Sequence, residues 1–111
     1  MPDLKTHALQ FGLKEERIKQ IRDVIAMFSE IDRVVIYGSR AKGNYKPASD
    51  IDLSVYGKAV TRQTIISLSV KLDELDLPWT FDILDYKSLE NADLKEHIDR
   101  IGQVFYLKEK Q

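Results

Sequence analysis

No cysteine occurs in the 111 residues, which excludes disulfides and thiolate metal sites and is compatible with a reducing cytoplasm. Nor does charge of one sign dominate: 17 Lys and Arg stand against 18 Asp and Glu, a formal net charge of -1. That balance leaves no overall basic field of the kind that holds a nucleic-acid backbone, so no direct nucleic-acid binding is expected. No apolar run approaches the roughly 20 residues that span a bilayer, and the opening MPDLKTHALQ has no apolar core of the signal-peptide type. The expectation is a cytoplasmic protein with no membrane partner. Three prolines and five glycines are too few to mark a linker, and neither repeats nor low-complexity segments interrupt the chain. With 43% hydrophobic residues, one compact domain over residues 1–111 with a single modest core is expected.

What is there is periodicity. Ile18, Ile21, Ile25 and Phe28 recur at steps of three and four within Leu13 to Phe28, the apolar stripe of an amphipathic helix. Arg33 to Tyr37 (RVVIY) is a β-branched and aromatic run stopped by Gly38, a buried strand followed by a turn. Asp50 to Tyr56 alternates, with Ile51, Leu53 and Val55 on one side and Asp50, Asp52, Ser54 and Tyr56 on the other, a second strand. Ile65, Leu68, Leu72 and Leu75 restore helical spacing after Thr61, a natural N-cap, with Pro78 beyond the stop. Trp79 to Leu84 reads as a third strand, Leu94, Ile98 and Ile101 as a short helix before Gly102, and Val104 to Leu107 as a last strand or docked tail. Strands and helices alternating this closely predict an α/β (α+β) fold: a small mixed sheet, helices packed on one face, and the aspartates on the other.

Gly38 to Leu53 reads GSRAKGNYKPASDIDL. Gly38 and Ser39 lie where a strand ends and a helical turn begins, so backbone N–H groups and the Ser39 hydroxyl can converge on a phosphate oxygen. Taken alone, the pair reads first as an ordinary strand-to-helix turn with Ser39 as N-cap. Asp50 and Asp52 are two positions apart on one strand, which puts both carboxylates on one face about 7 Å apart at the backbone. Taken alone they suit a solvated edge strand. Asp82 adds a third carboxylate from an otherwise apolar strand, where a lone ionised group would be costly to bury. Asp85 competes for that role but sits at the strand's end, as a solvated turn residue does. Three acids beside a phosphate-binding turn meet the requirements of two-metal phosphoryl or nucleotidyl transfer, with Mg²⁺ as the fitting ion. On this reading Asp50 and Asp52 bridge two ions, and Asp82 orients one of them and accepts the nucleophile's proton.

Gly38-Ser39-Arg40-Ala41-Lys42-Gly43, ten residues between Ser39 and Asp50, then Asp50-Ile51-Asp52-Leu53 resemble the signature of the DNA polymerase β-like nucleotidyltransferase superfamily. The order of elements resembles its smallest members, the minimal nucleotidyltransferases, over nearly the whole chain. The resemblance implies a nucleotidyltransferase fold, triphosphate held at Gly38 and Ser39, metal held at Asp50 and Asp52, and Asp82 completing the triad. Lys42 stands where an arginine is frequent, so basic character is kept without bidentate phosphate geometry. Arg40 and Lys42 are phosphate-contact candidates or parts of a solvated basic turn. His7 and His97, with no partner at metal-ligand spacing, read as surface residues, and Trp79, Phe81, Phe105 and Tyr106 as core.

Minimal members of this kind often act as antitoxins that adenylylate a HEPN-type helical ribonuclease toxin. The resemblance therefore implies AMP transfer from Mg-ATP to a hydroxyl of such a toxin, a tyrosine being the favoured acceptor. Two alternatives stand beside it: an antitoxin that masks its helical partner by contact alone, and a small-molecule nucleotidyltransferase, which usually needs an added domain to shape its acceptor site. A template-directed polymerase is disfavoured, because the chain has no room for fingers, thumb or a basic duplex channel.

Overall fold

The computed structural model describes residues 9–109, and His7 lies outside them. The described residues open with a hairpin, β1 (Leu9–Gln10) and β2 (Leu13–Lys14). Its two-residue loop has positive φ at both Phe11 (57°) and Gly12 (75°), the geometry that matches the twist of paired strands. The hairpin takes Leu13 out of the expected first helix, so α1 runs Glu15–Ile25. Ile18, Ile21 and Ile25 are buried as the spacing requires, while Phe28 packs against the core from the turn that follows.

Four strands then form one mixed sheet in the order β5-β4-β3-β6. They are β3 (Arg33–Tyr37), β4 (Ile51–Tyr56), β5 (Phe81–Asp85) and β6 (Gln103–Leu107). β3 is antiparallel to β4 and β6, whereas β4 and β5 are parallel. A parallel neighbour cannot be reached by a tight turn, and the crossover is α3 (Arg62–Asp73). Thr61 caps α3 in a reciprocal box: its side chain accepts from Thr64 N–H, and the Thr64 side chain accepts from Thr61 N–H.

One face of the sheet carries Val34 and Ile36, then Ile51, Leu53 and Val55, packed against Ile18, Ile21 and Ile25 of α1 and Leu68 and Leu72 of α3. The other face carries Val35 and Tyr37, and against it lies α4 (Ala92–Ile101) through Ile98 and Leu94. Two of the three expected helices, α1 and α3, thus cover one face, while the third, α4, packs on the face where the aspartates lie. The helices therefore occupy both faces and not the single face expected, because Val35 and Tyr37 give that second face an apolar patch of its own. β6 is a true strand, with a bulge where its register against β3 shifts between Val34 and Val35. The bulge lets the consecutive residues Phe105 and Tyr106 both turn toward the α1 side. Phe105 is 1% exposed, its ring 6.0 Å from that of Phe11 and 5.3 Å beneath the Arg22 guanidinium.

Phe105→Ala is expected to lower stability by about 3–5 kcal/mol, since a buried aromatic is lost and the cavity lies between α1, the hairpin and the sheet. Urea unfolding followed by far-UV circular dichroism measures it, and a loss below about 1 kcal/mol would show that β6 is dispensable to the core.

Candidate active site

Three strand ends meet at one edge of the sheet. β3 finishes at Tyr37, and the starts of β4 and β5 lie alongside because β4 is antiparallel to β3 and parallel to β5. Tyr37 is the register partner of Asp52, and Asp52 is the partner of Asp82. Lateral neighbours in a sheet point to the same face, so a phenol and two carboxylates form a row across three strands. Asp50, exposed, ends the loop that leads into β4.

The row is close enough for its charges to be felt. Burial first, then Asp82, then Asp50 push the Asp52 carboxyl up to about 6, with the Arg40 charge acting in the opposite direction. Tyr37 is 5% exposed. Burial, followed by Asp82 and Asp52, raises its phenol well above the ordinary tyrosine range, so it remains a neutral hydroxyl. Edge-on to its ring, at 6.2 Å and 80°, stands His97 of α4. His97 is therefore half-buried against the site's flank, not the free surface residue its isolation in sequence suggests.

Gly38 follows Tyr37 with φ 74°, and a Cβ there would run into Asp52 Oδ2. Only glycine combines that backbone conformation with that approach. The next five residues, Gly38–Lys42, wind into the short helix α2. Ser39 is half-buried in its first turn and Lys42 exposed in its last.

Arg40 departs from the expectation of a phosphate contact. Its side chain is 2% exposed and turned inward. Nη1 donates to Phe11 O at 2.9 Å, Nε to Ser49 O at 3.0 Å and Nη2 to Pro47 O at 3.1 Å. Tyr45 and Trp79 flank the guanidinium at 5.3 and 5.5 Å. All three nitrogens are thus committed to backbone carbonyls, two of them on the loop that delivers Asp50. Trp79 Nε1 donates to Pro47 O as well, at 2.9 Å. The first basic residue of the signature is a loop anchor, and its charge reaches the acids only through space.

Asp82 is also placed differently from the argument that singled it out. It is exposed on an edge strand, not buried among Phe81 and Ile83, yet its register opposite Asp52 is what joins it to the site. Asp85 lies three residues further along, opposite Val55, roughly 10 Å away at strand rise. Its carboxylate is taken up by Lys87 Nζ at 3.0 Å, Lys87 N–H at 3.3 Å and Ser88 Oγ at 3.1 Å. Asp85 caps the turn Tyr86–Ser88 and takes no part in the acid row. The signal that sequence reading passed over is Tyr37, whose place directly before Gly38 puts it in that row.

Among the described residues, no three carboxylate or imidazole groups converge as a ready-made metal cluster. The donor set nonetheless fits a hard divalent cation: it is all oxygen, acidic, and under the mutual repulsion that raises Asp52, which a cation would relieve. Thiolate or imidazole sites of the zinc type have no donors in this row.

Two outcomes follow from the electrostatics and the anchor. Because Asp52 is higher in the folded protein than its ordinary value of about 3.9, the folded state holds the extra proton. Metal-free stability should therefore fall as pH rises from about 4 to about 6 and level off above, and Asp52→Asn should flatten that slope. Urea midpoints across the range in chelator check it, and a rise over the same window would reverse the assignment. Arg40→Lys, which preserves charge but cannot reach three carbonyls, should cost about 2–4 kcal/mol in the same measurement.

The family model for polymerase beta, nucleotidyltransferase, matches residues 19–111. A curated relative, the probable protein adenylyltransferase MntA of Haemophilus influenzae, is 29% identical over 109 residues, covering 95% of this chain and 92% of that protein. Among solved structures, a toxin-antitoxin complex with AMP-PNP contains a chain that superposes with a TM-score of 0.64 at 23% identity, over 87% of this chain and 76% of that one. A chain of the complex of tri-AMPylated Shewanella oneidensis HEPN toxin with MNT antitoxin gives 0.57 at 15% identity, over 85% and 72%. At these identities the structures attest the fold: a four-stranded mixed sheet flanked by helices. The family match runs from within α1 through β6, including the Gly38-Ser39 turn and all three aspartates, and the chain belongs to the polymerase beta nucleotidyltransferase family.

Proposed function

We propose that this protein is a Mg²⁺-dependent adenylyltransferase of the cytoplasm that transfers AMP from ATP to a tyrosine hydroxyl of a HEPN-type helical ribonuclease toxin, acting as its antitoxin. The observation that carries the reading is the register of Asp52 with Asp82 beside the Gly38 approach, in a chain of this family. The Haemophilus relative named as a protein adenylyltransferase supports AMP as the transferred group and protein as the acceptor. The complexes with AMP-PNP and with an AMPylated HEPN toxin support ATP and such a partner.

In the proposed roles, Asp50, Asp52 and Asp82 hold the metal, probed as one or two Mg²⁺ ions, and Gly38 and Ser39 contact the triphosphate. The ions, when bound, offset phosphate charge and lower the pKa of an acceptor hydroxyl. The acceptor oxygen then attacks the α-phosphorus, the bond to the bridging oxygen breaks, pyrophosphate leaves with those electrons, and Asp82 takes the hydroxyl proton. Asp82 suits that role by being exposed, at the open side of the row where an incoming group arrives. Asp50 is exposed as well, so the acids present an open surface that a folded partner can approach. A free small acceptor would find few walls there. A tyrosine hydroxyl, with an ordinary pKa near 10, needs the assistance that metal and carboxylate provide.

Incubating the protein with a HEPN toxin and Mg-ATP, then measuring intact mass and RNA cleavage, tests both clauses. The expected result is a mass gain of whole AMP groups with loss of cleavage. Asp50→Asn and Asp52→Asn should weaken Mg-ATP binding and transfer together, whereas Asp82→Asn should retain binding and lose roughly 10²–10⁴-fold in transfer rate. A toxin silenced with no mass gain, and silenced equally by Asp50→Asn, would replace the enzyme with contact-only neutralisation.

A further inference from the structure

Tyr37 is the member of the row that the proposed chemistry leaves unused. Its ring is held from behind by Val35 and Ile98 and from the side by His97, so the phenol cannot swing away. Its hydroxyl makes no hydrogen bond among the described residues, although the residue is 5% exposed. Ser54 Oγ is the one enclosed side-chain oxygen without a partner among the described residues, so the Tyr37 hydroxyl is not sealed in: the ring is buried and its polar tip keeps a free side open to a ligand. Its surroundings indicate which acceptor it can take. A tyrosine side chain is longer than an aspartate side chain, so from the backbone position beside Asp52 the hydroxyl reaches past the carboxylate rather than onto it. Gly38 and Ser39 follow it directly in the chain. The hydroxyl, the Gly38 backbone and the Ser39 side chain thus belong to one strand end, beside the carboxylates that would gather cations.

We infer that Tyr37 is a substrate-positioning residue whose hydroxyl donates a hydrogen bond to a phosphate oxygen of the bound nucleoside triphosphate. The inference rests on the proposed nucleotide site and adds a specific donor to it. A neutral donor suits this place: it binds an anion without adding a charge that would compete with metal for the acids. His97 takes no part in the bond and holds the ring that makes it.

The test is Tyr37→Phe, which keeps the ring and its packing. Calorimetry with two probes, Mg-AMP-PNP and Mg-tripolyphosphate, reads the contact. Both should bind about tenfold more weakly than to the wild type, the effect of one hydrogen bond to a charged group. In the free protein the hydroxyl has no protein partner, so the variant's melting temperature should be unchanged or raised, while the upward shift produced by Mg-AMP-PNP should shrink. A lowered melting temperature with wild-type affinity would mean a structural hydroxyl and overturn the inference. Weakening confined to Mg-AMP-PNP would place the contact on the nucleoside and overturn it too. If the wild type binds neither probe, the nucleotide site itself falls. If the wild type binds both, Asp52→Asn weakens them and Tyr37→Phe does not, this inference alone falls.

Discussion

The guanidinium of Arg40 ties together parts of the chain that have no other reason to meet. Phe11 belongs to the hairpin, and Pro47 and Ser49 to the loop between α2 and β4; their carbonyls converge on its nitrogens. Burying a charge is tolerable only where its donors are satisfied. Here every nitrogen has an acceptor, and Tyr45 and Trp79 exclude water from its flanks. The carbonyls gain in turn, because a loop whose polar groups turn inward needs donors for them. Asp50 is the residue that follows Ser49, so its position is set by this anchor rather than by β4, which begins one residue later.

The acids illustrate the opposite kind of constraint. Asp52 and Asp82 are brought side by side by backbone hydrogen bonding between β4 and β5, and the strands impose that proximity whatever the side chains cost. Asp52 bears most of the cost, since burial and two neighbouring carboxylates all act against its ionisation. An arrangement that disfavours itself in isolation is one that a cation stabilises. Preorganisation of this kind is what a transfer site needs, because charge that is already gathered does not have to be gathered during the reaction.

α4 gives the acid-bearing face its boundary. Ile98 and Leu94 cover Val35 and Tyr37, and beyond them Tyr56 and Tyr86 stack at 4.7 Å. Tyr86 donates to Asp99 at 2.8 Å. The helix therefore closes the face away from the acids and leaves their own end open. Apolar packing and chemistry share one face of the sheet by dividing it lengthwise.

Much of this was legible in sequence because it depends on periods and on local turn chemistry. Period two in Ile51 to Tyr56 separated core from acid face; period 3.6 located α1, α3 and α4; Thr61 and Gly102 marked a start and a stop. Gly38 and the Asp50–Asp52 pair lie within one short segment, so their association needed little tertiary information. The hairpin was missed because strands of two residues have no measurable period, and the first helix was extended over Leu13 as a result. Arg40 was misjudged for a different reason: a charged residue beside a phosphate-type turn looks the same in sequence whether it faces out or in, and its direction depends on carbonyls at Phe11, Pro47 and Ser49. Tyr37 and His97 likewise acquired neighbours only when β3 paired with β4 and α4 folded across them. The sequence by itself determined the elements, the faces and the residues able to carry chemistry, since those follow from each residue's own shape and charge. The tertiary structure alone decided which strand lay beside which, and so set Asp82 rather than Asp85 opposite Asp52, because strand register is a property of pairs of segments and is written in neither one alone.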